Sequence, residues 1–289
     1  MGSPGITKVG VLGCGLMGSG IAEVVARAGL PVIVWDIDSA ALERGRQRVK
    51  DSVDRASRRG KLSQLDVEVV RSNLSFRDDL TMLADCDLII EAVIESGSVK
   101  GELFRRIDQI VRWPDAILAT NTSSIPVMKL GMMTSRPSQV LGIHFFNPVP
   151  ILRLVEVVPS LLTSDDVLER ATSFVTDQLN KTVVVAKDRA GFIVNSLLIP
   201  YVLSAVRMLE SGYASAEDID VSMMEGCAHP MGPLHLADLV GLDTAKAIAE
   251  SLYEEFKEPL FAPPPLLCRM VDAGLLGRKT GRGFFRYEP

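Results

Sequence analysis

The residues best suited to chemistry in this chain are a histidine and a carboxylate. His144 lies in Gly142-Ile143-His144-Phe145-Phe146-Asn147-Pro148-Val149-Pro150, and Glu156 follows in a second apolar run. An imidazole titrating near neutrality takes a proton from an alcohol or returns it to an alkoxide, while a carboxylate fixes its tautomer and stabilises the imidazolium. Period-two alternation over Ile151 to Val158 puts Glu156 in one row with Leu152, Leu154 and Val158, facing an apolar layer. A buried carboxylate needs a partner, and His144, near the end of the preceding strand, is the candidate. Two plainer interpretations compete. His144 alone reads as a core residue beside packed phenylalanines, and Glu156 could belong to an unrelated ion pair, although an ideal strand turns Arg153 to the opposite face.

A second constellation lies upstream. Gly13-Cys14-Gly15-Leu16-Met17-Gly18 matches GxGxxG between an apolar run, Val9 to Leu12, and a helical pattern from Leu16 to Ala28. The first glycine permits the tight turn, the second lets backbone approach a pyrophosphate, and the third allows helix to pack closely on strand. Asp36 ends the next apolar run, Pro31 to Trp35. There a carboxylate accepts hydrogen bonds from an adenosine ribose and repels a 2′-phosphate, which favours NAD over NADP. Asp36 could instead cap the helix that begins near Ser39, just as three glycines can serve simple turns. With a nicotinamide site, the histidine and carboxylate describe alcohol–ketone redox chemistry.

These groups must be positioned by alternating strands and helices. Further apolar runs occur at Asp87–Ile90, Ala116–Ala119, Val140–Phe146, Ile151–Val158 and Thr182–Ala186, with helical patterns at Ser39–Gly60 and Val99–Val111. Such alternation predicts an α/β fold, a Rossmann-type doubly wound, mostly parallel sheet with helices on both faces. After Lys187 the pattern becomes helical until a short Gly283–Arg286 tail. The expected organisation is residues 1–187 as a dinucleotide-binding domain and 188–289 as an all-α domain.

With 289 residues and 47% hydrophobic side chains, the chain can build a large core, and its net charge of -5 argues against a broad nucleic-acid footprint. Four scattered cysteines without a CxxC pair fit reduced thiols in a cytoplasmic protein better than a disulfide framework. Met1 to Gly5 lacks the charged and apolar regions of a signal peptide. Gly191 to Leu209 is the most membrane-like stretch, but Asn195, Ser196, Pro200 and Ser204 interrupt it, so a buried helix is expected. Cys227, His229 and His235 have no standard zinc spacing, and no metal is expected. Gly277-Arg278-Lys279-Thr280 lacks the GK[ST] of a phosphate loop.

Taken in order, Gly13 to Gly18, Asn121-Thr122-Ser123-Ser124, His144 to Pro148 with Glu156, and Gly191-Phe192-Ile193-Val194-Asn195 resemble the L-3-hydroxyacyl-CoA dehydrogenase family, particularly its short monofunctional 3-hydroxybutyryl-CoA dehydrogenase type. The resemblance continues through Met231-Gly232-Pro233, Ala237 to Asp243 and Gly277 to Phe284. It implies that His144 is the acid/base, that Glu156 orients it, and that Ser123 and Asn195 position the substrate oxygen and thioester. It matches Glu95, Lys100 and Asn147 to cofactor contacts beside those of Gly13, Gly15, Leu16, Met17, Gly18 and Asp36. By themselves, Ser123 reads as a helix cap before Ile125 and Asn195 as the partner of a buried backbone group. Gly97-Ser98 and His235 depart from the family pattern, the former beside the cofactor segment.

The helix after Ser39 carries Arg48, Ser52, Arg55 and Arg59 at helical spacing, with Lys61 just beyond and Leu42, Val49, Val53 and Ala56 as a buried face. A solvated basic face explains this pattern. Given the CoA substrate that the resemblance implies, Arg55, Arg59 and Lys61 also suit its phosphates. The resemblance further implies a homodimer through the helical domain. The alternatives are a dehydrogenase of another 3-hydroxy acid or a 3-hydroxydicarboxylyl-CoA, and a noncatalytic binding or structural protein.

Overall fold

The structure, a computed structural model, describes residues 5–288. Residues 1–4, which carry most of the signal-peptide reading, lie outside that range. Two compact units divide the chain after Asp188.

The first unit is built on an eight-stranded sheet in the order β3-β2-β1-β4-β5-β6-β7-β8. Its strands are β1 Val9–Leu12, β2 Val32–Trp35, β3 Leu74–Arg77, β4 Leu88–Glu91, β5 Ile117–Thr120, β6 Val140–Phe145, β7 Leu154–Pro159 and β8 Thr182–Val185. All neighbours pair in parallel except β6 and β7, which are antiparallel. Strands β1, β2, β4 and β5 are buried along their whole length. That is why they appear in the sequence as unbroken apolar runs: helices cover both faces of a parallel sheet. Order reverses at β1, which pairs β2 on one side and β4 on the other. A crevice at the carboxyl ends of these strands is where a doubly wound sheet binds its ligand.

Helix α1, Leu16–Arg27, buries Ile21, Ala22 and Val25 against the sheet. Helix α2, Ser39–Arg58, buries Leu42, Gly45, Val49 and Val53, and its N-terminus is capped by Asp38, whose carboxylate accepts from Ala40 N at 2.9 Å. Helix α3, Gln64–Asn73, opens with a capping box between Ser63 and Asp66. Helices α4, Gly97–Ile110, α5, Val127–Gly131, and α6, Asp165–Ser173, complete the unit. The short α5 has no side-chain N-cap of its own; the Asp188 carboxylate accepts from Val127 N and Met128 N at 2.8 Å each.

Two local expectations need correction. Strand β7 begins at Leu154, not Ile151, because Ile151 N and Leu152 N turn back to Pro148 O and Lys181 Nζ ties down the carbonyls of Val149 and Leu152. Leu152 is 41% exposed and Arg153 lies in this turn, so neither belongs to an inward or outward strand row. Nor does β7 alternate between buried and exposed, since Val155 through Val158 are all buried.

The second unit comprises α7 Val194–Glu210, α8 Ala216–Cys227, α9 Pro233–Val240, α10 Leu242–Phe256 and α11 Pro265–Asp272. Ile199, Leu203, Leu234, Leu242, Leu252 and Leu267 are among its core residues. Gly191 and Phe192 adopt positive φ, so the expected helix starts three residues late. It is amphipathic rather than wholly buried: Leu203 is fully buried, whereas Leu197 is exposed. No helix among the described residues is long and apolar enough to cross a membrane. The glycine-rich tail docks on Asp238, whose carboxylate accepts from Phe284 N, Phe285 N and Tyr287 OH; a Cβ at Gly283 would fall 1.9 Å from Asp238 Oδ1. The tail motif thus has a structural reason to be small at Gly283.

Candidate active site

The three glycines of the loop after β1 differ in what confines them. Gly13 has a φ of +95° and a Cβ there would meet the Ala92 carbonyl oxygen at 2.7 Å, while one at Gly18 would lie 1.9 Å from the Gly13 carbonyl oxygen. These two are required by the protein itself. Gly15 has an ordinary φ of -70° and nothing within 4 Å of an added Cβ. The space beside Gly15 therefore suits close approach of a ligand, as a pyrophosphate at a helix N-terminus requires.

A cavity of about 740 Å³ opens from this loop, lined among others by Gly13, Gly15, Leu16, Trp35, Asp36 and Arg44. The Asp36 carboxylate accepts from Cys14 N at 2.8 Å and Asp38 N at 3.1 Å, tying the end of β2 to the glycine loop. Asp38, not Asp36, caps α2. Arg48 does not belong to a simple solvated face: it donates to the Cys14 carbonyl and to Ser19 Oγ. Met17 is half-buried against the sheet core.

Next to this loop lies a buried charge network. Lys100 is 1% exposed and donates to Glu91 Oε1 at 2.7 Å and Oε2 at 3.0 Å, with Glu95 Oε2 at 3.0 Å. Thr120 Oγ1 and Val93 N also donate to Glu91, so its carboxylate has several partners where burial would otherwise be costly. Glu95 accepts from Thr122 Oγ1, from the backbone N–H of Ser123 and Ser124 at 3.1 and 3.2 Å, and from Ser124 Oγ at 2.9 Å. Burial tends to raise the Glu95 pKa, but Lys100 and these donors outweigh it and hold the carboxyl below its ordinary value. Lys100 thus steadies Glu95, and Glu95 steadies the turn carrying Ser123.

His144 and Glu156 are directly opposed in the antiparallel β6–β7 pair. Nδ1 of His144 is 2.8 Å from Glu156 Oε2, and both residues are buried. On the other side of the ring, Nε2 is 3.0 Å from Ser123 Oγ. An ionised carboxylate only accepts, which places the Nδ1 proton toward Glu156 and leaves Nε2 of the neutral ring as the acceptor. Phe146 meets the imidazole edge-on at 4.6 Å, and Asn121 Oδ1 accepts from Phe145 N at 2.8 Å, fixing the adjoining backbone. The arrangement can take up or deliver one proton at Nε2 while a hydroxyl holds an oxygen nearby.

Ser123, His144 and Glu156 therefore come together, and Ser123 does not cap α5, whose first N–H groups go to Asp188. Asn195 is buried in the first turn of α7, in the other unit. Asn147 lines a smaller cavity of about 180 Å³ with Leu16, Ser52 and Arg55. Arg59 caps the C-terminus of α2 and Lys61 follows Gly60; both are exposed. His235 pairs with Asp220 at 2.6 Å and stacks on Phe285, while His229 bonds Tyr201 at 3.1 Å. No cluster of three metal-ligating side chains occurs among the described residues. Sequence reasoning overlooked Glu91 and Arg44. A carboxylate at the end of an apolar strand, with Lys100 nine residues on, was the available signal for the first.

Comparison with known proteins bears on both units. The NAD binding domain of 3-hydroxyacyl-CoA dehydrogenase matches residues 8–189, and the C-terminal domain of the same family matches residues 191–287. A 3-hydroxybutyryl-CoA dehydrogenase of Mycobacterium tuberculosis is 52% identical, covering 99% of this chain and 100% of its own. The crystal structure of FadB2 from M. tuberculosis superposes with a TM-score of 0.97 at 52% identity, covering 99% of this chain and 100% of that one. That of (S)-3-hydroxybutyryl-CoA dehydrogenase from Ralstonia eutropha gives 0.92 at 42% identity, covering 98% and 100%. The chain belongs to the 3-hydroxyacyl-CoA dehydrogenase family.

Proposed function

We propose that this protein is an NAD-dependent oxidoreductase that interconverts (S)-3-hydroxyacyl-CoA and 3-oxoacyl-CoA, with 3-hydroxybutyryl-CoA and acetoacetyl-CoA as its short-chain pair. The observation that carries the proposal is the hydrogen-bonded line Ser123–His144–Glu156 in a unit that also carries the dinucleotide loop. NAD, when bound, supplies the hydride acceptor or donor. Gly13, Gly15, Leu16, Met17 and Gly18 would hold its pyrophosphate end, Asp36 its adenosine ribose, and Glu95, Lys100 and Asn147 the segment nearer the reacting carbon.

In the oxidation direction Nε2 of His144 removes the hydroxyl proton of the substrate, and Glu156 stabilises the imidazolium that results. In reduction the same ring returns that proton to the nascent alkoxide. Ser123 donates to the reacting oxygen, and Asn195 positions the thioester. Arg55, with Arg59 and Lys61 beyond it, binds the CoA phosphates; the place of Arg55 in the smaller cavity supports its part in this. As a homodimer formed through the helical unit, where Leu197 leaves apolar surface exposed, the enzyme would serve cytoplasmic fatty-acid β-oxidation.

The test is NADH oxidation with acetoacetyl-CoA and longer 3-oxoacyl-CoAs, repeated with NADPH. Robust turnover with acetoacetyl-CoA and NADH is expected, with NADPH much poorer. Absence of turnover with every thioester would sink the proposal, and a preference for free or dicarboxylic 3-hydroxy acids would redirect it.

A further inference from the structure

A cavity of about 350 Å³ lies at the end of α1 remote from the glycine loop. It is lined by Val24, Arg27 and Ala28, by Pro150, Ile151 and Arg153 from the turn before β7, and by Gln178 to Lys181 from the approach to β8. Three of these residues are cations and none is an acid.

Their charges are poorly compensated. Lys181 Nζ donates to the carbonyls of Val149 and Leu152 at 2.7 and 2.6 Å, two neutral acceptors that leave one of its three protons. Burial, then the charges of Arg153 and Arg27, push its pKa down, so Lys181 senses both arginines. Arg27 pairs with Glu23 through Nη2, but its Nε is buried without a hydrogen-bond partner. Arg153 joins no ion pair or side-chain hydrogen bond among the described residues. Glu23, the one carboxylate at hand, thus pairs with Arg27 alone among the three. Convergent like charge at a partly desolvated site is unfavourable, and an anion that reached all three would relieve it.

We propose that this cavity is an oxyanion site that takes a phosphate group. The planar fork of Arg153 offers paired donors, Lys181 offers its remaining proton, and Arg27 adds charge that also offsets the carbonyl end of α1. The phosphate could be free or could be carried by the substrate. The cavity shares Pro150 with the one that holds Asn147 and Arg55, and the two touch consecutive residues of α1, Glu23 and Val24. The second source, unlike the site itself, rests on the acyl-CoA function proposed above.

The experiment titrates the whole protein with inorganic phosphate by calorimetry, against chloride at matched ionic strength and without any thioester. Saturable binding is expected. Arg153→Gln should weaken it roughly tenfold or more, as loss of a charge-assisted hydrogen bond implies, with Arg153→Lys recovering part of the loss and Arg55→Gln leaving it intact. Arg153 is exposed and holds nothing in the fold, so these variants should keep the wild-type Tm. No saturable binding, or binding insensitive to Arg153→Gln, overturns the proposal. Competition then identifies the source: CoA displacing phosphate while pantetheine, which lacks phosphates, does not assigns the site to the substrate, and displacement by neither assigns it to free phosphate. Displacement by pantetheine would mean that charge does not govern occupancy and would also overturn it.

Discussion

Both ring nitrogens of His144 are engaged, Nδ1 by Glu156 and Nε2 by Ser123, so little reorientation would separate the resting ring from the proposed proton-transfer pose. His144→Ala should lower kcat by roughly a hundredfold or more while NADH binding, read by fluorescence, persists. Glu156→Gln keeps the shape but removes the charge, and should slow turnover by a smaller factor. Near-normal turnover by a folded His144→Ala protein would remove the ring from the chemistry. This pair was legible in the sequence because an acid and a histidine stood in neighbouring apolar runs. Glu91 was not, because the one signal it gave, a carboxylate ending an apolar strand with Lys100 nine residues on, becomes an ion pair only when the next helix folds back onto that strand, and Arg44 has no local mark at all.

At the scale of the element, the glycine loop separates demands of folding from demands of ligand. A Cβ at Gly18 would collide with the Gly13 carbonyl oxygen, whereas one at Gly15 meets no protein atom. Gly18→Ala should therefore lower stability by about 1–3 kcal/mol or more, the usual penalty of overpacking. Gly15→Ala should leave Tm unchanged or slightly raised, because its φ suits alanine, yet weaken NADH binding. Thermal melts paired with NADH titration check both, and equal loss of stability in the two variants would contradict the distinction. The fully buried strands could be read as unbroken apolar runs, and α1 and α2 from their helical periodicity. Strand β7 was misjudged at its start because the turn at 148–153 is held by Lys181, a side chain nearly thirty residues away, and a local pattern carries no sign of such a clamp.

Across the whole molecule, several buried acids are protonated more tightly in the fold than in the open chain. Burial raises the Cys14 thiol to about 11 and the Cys86 thiol to about 12, and burial assisted by Asp238 raises Tyr287 to about 12. Stability linked to the thiols is fully present below the unfolded pKa of roughly 8.5 and is lost as pH climbs through the folded values. Tm should thus fall progressively between about pH 9 and 12, and Cys86→Ala, though less stable at neutral pH, should show a shallower decline. An unchanged slope would exclude the thiol as a cause. The same burial should make Cys14 and Cys86 slow toward iodoacetamide beside the exposed Cys227. Fold class was legible at this scale because strand–helix alternation constrains topology strongly. Helix α3 and strand β3, with shorter and more polar patterns, were not recognised.

The antiparallel meeting of β6 and β7 has a consequence for how the His144–Glu156 pair comes into being. His144 and Glu156 are 12 residues apart, whereas the central β1–β4 pairing joins Val9 to Leu88. Loop-closure entropy grows with the logarithm of chain length, so bringing β6 and β7 together is cheaper by roughly 1.5–2 kcal/mol than closing that central pairing. In pulse-labelled hydrogen exchange during refolding, amides of Val140–Phe145 and of residues 154–158 should gain protection before those of β1 and β4. The proposed acid/base couple is thereby a short-range product of the chain, formed within one local antiparallel pairing rather than across a long crossover.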